Sequence, residues 1–407
     1  MKKATILSAI VGTLIEVYDF TIFPLLIPIL SEVFFSSHGK TAAINFALLA
    51  YVVSYFIRPF GSFIFGGLID RFGQKKILIL TTLLMTISTS AIGLLPVSIM
   101  GSYCGIGLIL CRIIQGLCIA GEFSSAIILA VERGKSNPAF TGSFSLLGSA
   151  AGLLLANLSI FMLFYLLPHE EVIRYAWRIP FLIGSLGCLF LLSIRNKIEE
   201  VEKRHEIASL SSLVQINKKE LLEVFIVTSL GTSAFYTTFV LMPTLLSTIF
   251  NTYSHTESML ITSLSILTYI IFLPLWALVA DRIGIKKQIK IASLLYLLFA
   301  NAIFSSLPNL NSLGCLIILV FFAIIQAFLN SALPAFMVMQ FKANQRGRAL
   351  ALSYNLGVTL FGALMPFLIL ASGMNINPGL PITFCAAACL VVLHIKKPIK
   401  VYLQSHG

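Results

Sequence analysis

The sequence predicts an all-α integral membrane protein, with twelve transmembrane helices arranged as two six-helix bundles. Composition is the first reason: 58% of the 407 residues are hydrophobic and 11% are charged, whereas a soluble domain is about one quarter charged. Mean hydropathy is +0.96. The second reason is length, because apolar stretches of about 20 residues recur along the chain, each able to cross a ~30 Å hydrocarbon core as a helix. The third is where the basic residues fall.

Spans are expected near 4–31, 42–69, 77–97, 103–131, 139–167, 174–194, 221–249, 258–280, 287–307, 312–340, 346–372 and 377–394. The first follows Met1-Lys2-Lys3 and runs to about Leu30 without a small-residue cleavage site, which reads as a retained span rather than a signal peptide. Between spans two and three, four and five, eight and nine, and ten and eleven lie short basic loops, including Arg71, Lys75 and Lys76; Arg133 and Lys135; Arg282, Lys286 and Lys287; and Lys342, Arg346 and Arg348. The opposite loops hold only Lys40, Arg174 and Arg178. The positive-inside rule then puts both termini in the cytoplasm. The net charge of +12 is therefore a topology signal, and nucleic acid is not an expected partner.

Residues 1–194 form the expected first bundle, 195–220 a solvated cytoplasmic linker with helix-pairing charges, 221–394 the second bundle and 395–407 a short cytoplasmic tail. The halves repeat each other. "IDRFGQKK" from Ile69 returns 211 residues later as "ADRIGIKK" from Ala280, and at the same offset "IIQ" at Ile113 to Gln115 returns at Ile324 to Gln326. Duplicated halves with a midplane site between them are a transporter pattern.

Charges within spans are costly, at about 2.5–3.5 kcal/mol each on insertion scales, and are kept for pathways, relays or internal pairs. Five are expected: Glu16, Asp19, Arg58, Arg112 and Glu122. Glu16 and Asp19 are three residues apart and project from one helix face. A low dielectric favours the uncharged form of an acid, so such a pair can take up a proton on one side and release it on the other. Both are proton-coupling candidates, with Asp19 closer to the depth of Arg112. On span four, Arg112, Gln115, Ile119 and Glu122 make one stripe.

A guanidinium fork fits a carboxylate, so Arg112 reads either as the anchor of a carboxylate-bearing substrate or as the partner of Asp19. Glu16, Asp19 and Arg112 are expected to share one water-reachable chamber. Arg58 and Glu122 are expected to pair at a gate. The second half offers neutral groups at mid-span, among them Tyr236, Thr237, Gln326, Asn330, Tyr354 and Asn355. "GSFSLLGSAAG" from Gly142 reads as a packing seam between the halves.

Other chemistries find no support. No nucleotide-binding Gly-x4-Gly-Lys-Ser/Thr occurs, the seven cysteines have no metal-like spacing, and the six histidines fall in loops, at span ends or in the tail. An enzyme is not expected. Neither a metal nor a cofactor is expected, and no obligate protein partner is inferred.

With these residues in view the sequence resembles the major facilitator superfamily, and within it the metabolite:proton symporter family. The resemblance rests on "GGLIDRFGQKK" from Gly66, "EVYDF" in span one, "RPFGSFIFGG" from Arg58, "RIIQGLCIAGEFSSA" from Arg112 and "WRIPF" from Trp177, and more weakly on "MPTLL", "ADRIGIKK" and "RALALSYN" in the second half. Ile285 stands where the family usually has a basic residue, and the short tail lacks the coiled-coil extension of some relatives.

The resemblance implies alternating access in a bacterial inner membrane, with the proton gradient as energy source and an organic acid or a proline- or betaine-like zwitterion as substrate. It implies that spans one, four, seven and ten line the cavity, which raises Gln115, Tyr236 and Gln326, with Asn355 beside them, as substrate contacts. It also implies a gating role for Asp70, Arg71 and Gly73 and for their repeats Asp281 and Arg282, with Asp70 accepting from the start of span eleven. An exchanger or facilitator without proton movement is the alternative on this fold, and a non-transporting membrane sensor is the alternative of another class.

Overall fold

The computed structural model describes residues 2–36, 39–72, 74–97, 103–119, 122–134, 136–196, 218–250, 252–342, 346–372 and 376–394. All regular structure among them is helical. Among the described residues nine helices are long and apolar enough to cross a membrane, and a bent pair adds a tenth; with the shorter apolar helices Tyr103–Ile119 and Gly379–His394 these match the twelve expected spans.

Several spans are broken, each for a local reason. The first runs Lys2–Leu25 and continues as Ile27–Phe35 after a bend of 61°. Pro24 and Pro28 flank the bend, and each lacks the amide that would continue the ladder. The second breaks between Lys40–Phe56 and Arg58–Phe72, where Pro59 follows Arg58. The fourth is described as Tyr103–Ile119 and Glu122–Arg133, with residues 120 and 121 outside the described ones. The seventh passes from Lys218–Phe235 into a π turn at Tyr236–Val240, and the eleventh from Arg346–Gly357 into a π turn at Val358–Leu364. Such turns rotate side chains out of the regular register. They bring Tyr236 and Gly362 together at the centre, where a Cβ on Gly362 would lie 2.9 Å from the Tyr236 ring.

The other spans are single helices: Gln74–Leu94, Pro138–Leu166, Arg178–Asn196, His255–Ile283, Ile285–Ser306 and Ser312–Met339, besides Gly379–His394. A capping box between Ser254 and Glu257 starts the eighth. Gly284, at φ 99°, ends it and turns the chain directly into the ninth, a conformation glycine adopts without Cβ strain. Its repeat, Gly73, lies outside the described residues.

Span one packs along span five, three along six, eight along ten and nine along twelve, and the two bundles meet chiefly through spans five and eight. The glycines of span five explain the first of these contacts. A Cβ on Gly152 would stand 2.3 Å from the Leu14 carbonyl oxygen, and one on Gly148 2.8 Å from that of Ile10. The small-residue stretch is therefore a seam on two sides: Gly148 and Gly152 meet span one, while Gly142 meets Pro334 and Ala150, with Leu146 and Leu147, packs against Ile266 and Tyr269 of the other half.

A second difference concerns the linker. The sixth helix continues through Arg195 to Asn196 and the seventh begins at Lys218, so both expected linker ends are helical. Arg195, read from sequence as a solvated residue, is buried.

Gly152→Ala is expected to lower the thermal unfolding midpoint of the purified protein, since overpacking costs about 1–3 kcal/mol. Gly347→Ala, where nothing lies within 4 Å of the added methyl, should leave the midpoint unchanged.

Candidate functional site

A continuous hydrogen-bonded relay crosses the centre of the first bundle. Arg112 and Asp19 are both fully buried, and they do not touch directly. Arg112 Nη1 donates to Gln115 Oε1 at 2.8 Å, Gln115 Nε2 donates to Thr89 Oγ1 at 2.8 Å, and Thr89 Oγ1 donates to Asp19 Oδ2 at 2.6 Å. On the other side, Arg112 Nη2 donates to Ser54 Oγ at 2.9 Å and the Ser54 hydroxyl donates to the Tyr51 carbonyl at 2.6 Å.

The polarity of this chain is forced. Arginine can only donate, so Gln115 must turn its oxygen to Arg112 and its amide to Thr89, which leaves the threonine hydroxyl proton for Asp19. Every bond runs away from the guanidinium and one branch ends on the carboxylate.

Helix geometry places each member. Arg112 and Gln115 sit one turn apart on span four, Thr89 comes from span three and Ser54 from span two. Gly116 lets spans two and four approach, because a Cβ there would lie 2.0 Å from the Ser54 carbonyl. Phe20 and Phe23 of span one lay their rings against Arg112, 4.3 and 4.4 Å from its guanidinium carbon. Two polar atoms of the relay have no hydrogen-bond partner, Asp19 Oδ1 and Arg112 Nε. The guanidinium is thus held by neutral acceptors and aromatic faces.

Glu16 belongs elsewhere. Arg195 Nη2 meets Glu16 Oε1 at 2.6 Å, and Nη1 donates to the Leu78 carbonyl at 3.0 Å and to Thr82 Oγ1. This ion pair clamps spans one, three and six. The expected common chamber for Glu16, Asp19 and Arg112 is therefore not what the structure shows: Glu16 lines a small cleft with Thr81, Thr82, Met85 and Cys118, away from the relay partners of Asp19. Arg58 lies against two rings, with its guanidinium carbon 4.0 Å from Tyr55 and 4.4 Å from Phe20. The side chain of its expected partner Glu122 lies outside the described ones, as do those of Asp70 and Arg71.

In the second half Gln326 is fully buried and engaged at both ends. It accepts from the Tyr296 hydroxyl and donates to the Gly231 carbonyl at 2.9 Å, tying spans seven, nine and ten. Gln115 and Gln326, 211 residues apart, thus both serve as cross-links, the first joining Arg112 to the Thr89 hydroxyl and the second joining two neutral groups. Asn330 Nδ2 donates to the Tyr269 hydroxyl at 3.2 Å. Tyr236 stands edge-on to Tyr55 across the halves, 5.6 Å between centroids. Asn355 donates to Ser62 Oγ at 2.7 Å, which makes it a contact of the seam between spans two and eleven.

The sequence pattern of the Major Facilitator Superfamily matches residues 9–252 and again 224–401. The chain belongs to this superfamily. It is 29% identical over 397 residues to the inner membrane metabolite transport protein YhjE of Escherichia coli K12, covering 93% of this chain and 89% of that one. It is 30% identical over 379 residues to a putative proline/betaine transporter of Staphylococcus haemolyticus, covering 89% and 80%. Among solved structures, a D-xylose-proton symporter superposes with a TM-score of 0.76 at 16% identity, over 97% of this chain and 98% of that one. The protein is a multi-pass membrane transporter of small molecules and not an enzyme.

The halves also meet away from the centre. At the basic end, Asp281 accepts from the amides of Ala139 and Phe140 at 2.9 Å each, capping the start of span five with a carboxylate at the positive pole of that helix. Arg346 Nη1 meets Glu132 Oε1 at 2.6 Å beside it, while Arg282 is exposed. The structure thus displays a helix-capping carboxylate in the second loop copy, the one with the poorer charge pattern. At the opposite end His255 stacks on Phe164, 4.8 Å between centroids.

The relay members Ser54 and Thr89 had no signal of their own in a chain rich in membrane-embedded hydroxyls. Arg195 had one: a cation within two residues of the apolar run of span six, at the end toward which Glu16 is displaced from Asp19.

Arg195→Leu is expected to destabilise the protein by about 3–5 kcal/mol by stranding Glu16, and the double variant Glu16→Leu/Arg195→Leu to recover most of that loss in thermal unfolding. Asp281→Ala should shift the population toward states open at the basic end, read as increased distances between spin labels placed on the basic ends of spans five and eight.

Proposed function

We propose that the chain is a proton-coupled symporter of a small carboxylate-bearing metabolite, an organic acid or a proline- or betaine-type zwitterion, in a bacterial inner membrane with both termini cytoplasmic. The proton gradient supplies the energy and no cofactor takes part. The observation that carries this reading is the buried relay. A fully desolvated arginine held by two neutral acceptors has an open preference for an anion, and the acid that would balance it is two side chains away.

A substrate carboxylate arriving at Arg112 competes with Gln115 Oε1 and Ser54 Oγ for the same donors. Releasing Gln115 frees its amide from the fixed polarity and removes the arrangement that presents the Thr89 hydroxyl to Asp19. The carboxylate of Asp19 then loses the donor that favours its charged form, and taking up a proton becomes easier. Substrate and proton thus load together, and the sequence reverses when the other face opens. Tyr236, Gln326 and Asn355 complete the path from the second half through shape, cross-linking and the seam.

This mechanism separates binding from coupling. In proteoliposomes with an imposed pH gradient, the protein should accumulate a carboxylate identified by thermal-shift screening against that substrate's own gradient. Asp19→Asn should keep substrate exchange and lose pH-driven accumulation, whereas Arg112→Ala should lose the thermal shift itself. Accumulation by the Asp19→Asn variant equal to that of the parent protein would overturn proton coupling through this residue, and exchange without accumulation in the parent would make the chain an exchanger or facilitator.

A further inference from the structure

At the basic end of the second bundle, the outer surface of spans nine and twelve forms a cavity of about 390 Å³ lined by Lys290, Leu390, Val391 and His394. It faces away from the seam between halves and away from the relay. Its two polar residues stand at the mouth: Lys290 five residues into the ninth helix, and His394 at the last position of the twelfth. The first turn of span nine adds the exposed Lys287. Among the described residues, no carboxylate pairs with Lys290 or His394.

The surface running from this mouth into the membrane is apolar and continuous. On span nine, Lys290, Leu294 and Leu298 follow at four-residue spacing, and on span twelve Phe384, Val391 and His394 follow at spacings of seven and three. Each set makes one helix stripe, and its four apolar members are exposed, from 48% at Leu294 to 68% at Phe384. Cationic and hydrogen-bond-donating groups therefore lie at the end of the two stripes, with a groove between adjoining helices and a hydrocarbon-facing surface behind it.

We propose that this groove is a binding site for an anionic phospholipid. Lys290 and His394 hold the phosphate, as a point charge and a ring N–H donor, and the acyl chains lie along the stripes of spans nine and twelve. The occupant is a lipid rather than a free anion because the charged mouth opens onto apolar surface long enough for acyl chains. It is anionic rather than zwitterionic because the mouth offers positive charge with no carboxylate to meet a choline or ethanolamine group. Basic pockets between membrane helices are suited to such headgroups, with about 1 kcal/mol per basic residue.

The test uses the full-length protein in detergent, with phosphatidylglycerol, phosphatidylcholine and inorganic phosphate as probes. Retained lipid is counted by native mass spectrometry, and stabilisation by thermal unfolding. Phosphatidylglycerol should be retained and raise the unfolding midpoint, phosphatidylcholine should do so at least about tenfold less effectively, and phosphate should do neither. Lys290→Gln/His394→Gln should lose this preference, while Lys218→Gln, at the basic start of span seven, should keep it. Equal retention of both lipids by the parent protein, equal stabilisation by phosphate alone, or an unchanged preference in the double variant would each overturn the proposal. Because the lipid comparison is made on the parent protein, it stands even if the double variant fails to fold.

Discussion

The structure of the first bundle depends on one constraint: a guanidinium sunk in the bilayer core needs acceptors for its donors. Arg112 finds them for both terminal nitrogens in Gln115 and Ser54, with two phenylalanine faces beside it rather than an acid, and leaves Nε without a partner. Four consequences follow from that choice. Gln115 acquires a fixed orientation, Thr89 becomes an acceptor on one side and a donor on the other, Asp19 receives the end of the chain, and spans two and four must approach closely enough to require Gly116. A direct Arg112 to Asp19 pair would have needed none of these, and would have held the acid and the base together whether or not substrate was present.

An indirect connection is better suited to coupling than a direct one. A buried ion pair, once formed, is costly to break, as the Glu16 to Arg195 clamp illustrates on the neighbouring face of span one. That clamp joins three helices within one bundle, so on the proposed mechanism its permanence does no harm. The relay uses individually weaker neutral hydrogen bonds, each of which a carboxylate can replace at Arg112. The two acids of span one therefore divide the work: one is bound in a clamp, and the other is left with an oxygen that has no partner.

The second bundle repeats the plan without the charges. Gln326 cross-links its neighbours as Gln115 does, through a tyrosine and a backbone carbonyl, and the two halves touch through Tyr55 and Tyr236. Duplication preserved the position of the cross-link. It did not preserve the ionisable groups, so electrostatic chemistry is concentrated in one half while both halves share the movement. The latch at Asp281 and the pair of Arg346 with Glu132 lie at the end where the halves must separate, and each links a carboxylate to a group in the opposite half.

The sequence by itself determined the class, the number and approximate limits of the spans, the internal repeat and the charged stripe of span four. All of these are local or periodic: about 20 apolar residues are enough to cross the hydrocarbon core, and spacing along a helix decides which residues share a face. What it did not determine was pairing. Glu16 and Asp19 share a face loosely, but three residues along a helix still separate two side chains by about 60° and ~4.5 Å, enough for one to meet span six and the other span three. Arg195 read as a linker residue because nothing in a linear pattern says that the sixth helix carries it inward to Glu16, and the glycines of span five read as a seam between the halves although Gly148 and Gly152 face span one. These were decided by how the helices stack, since a buried charge takes whichever complementary group the packing brings within reach.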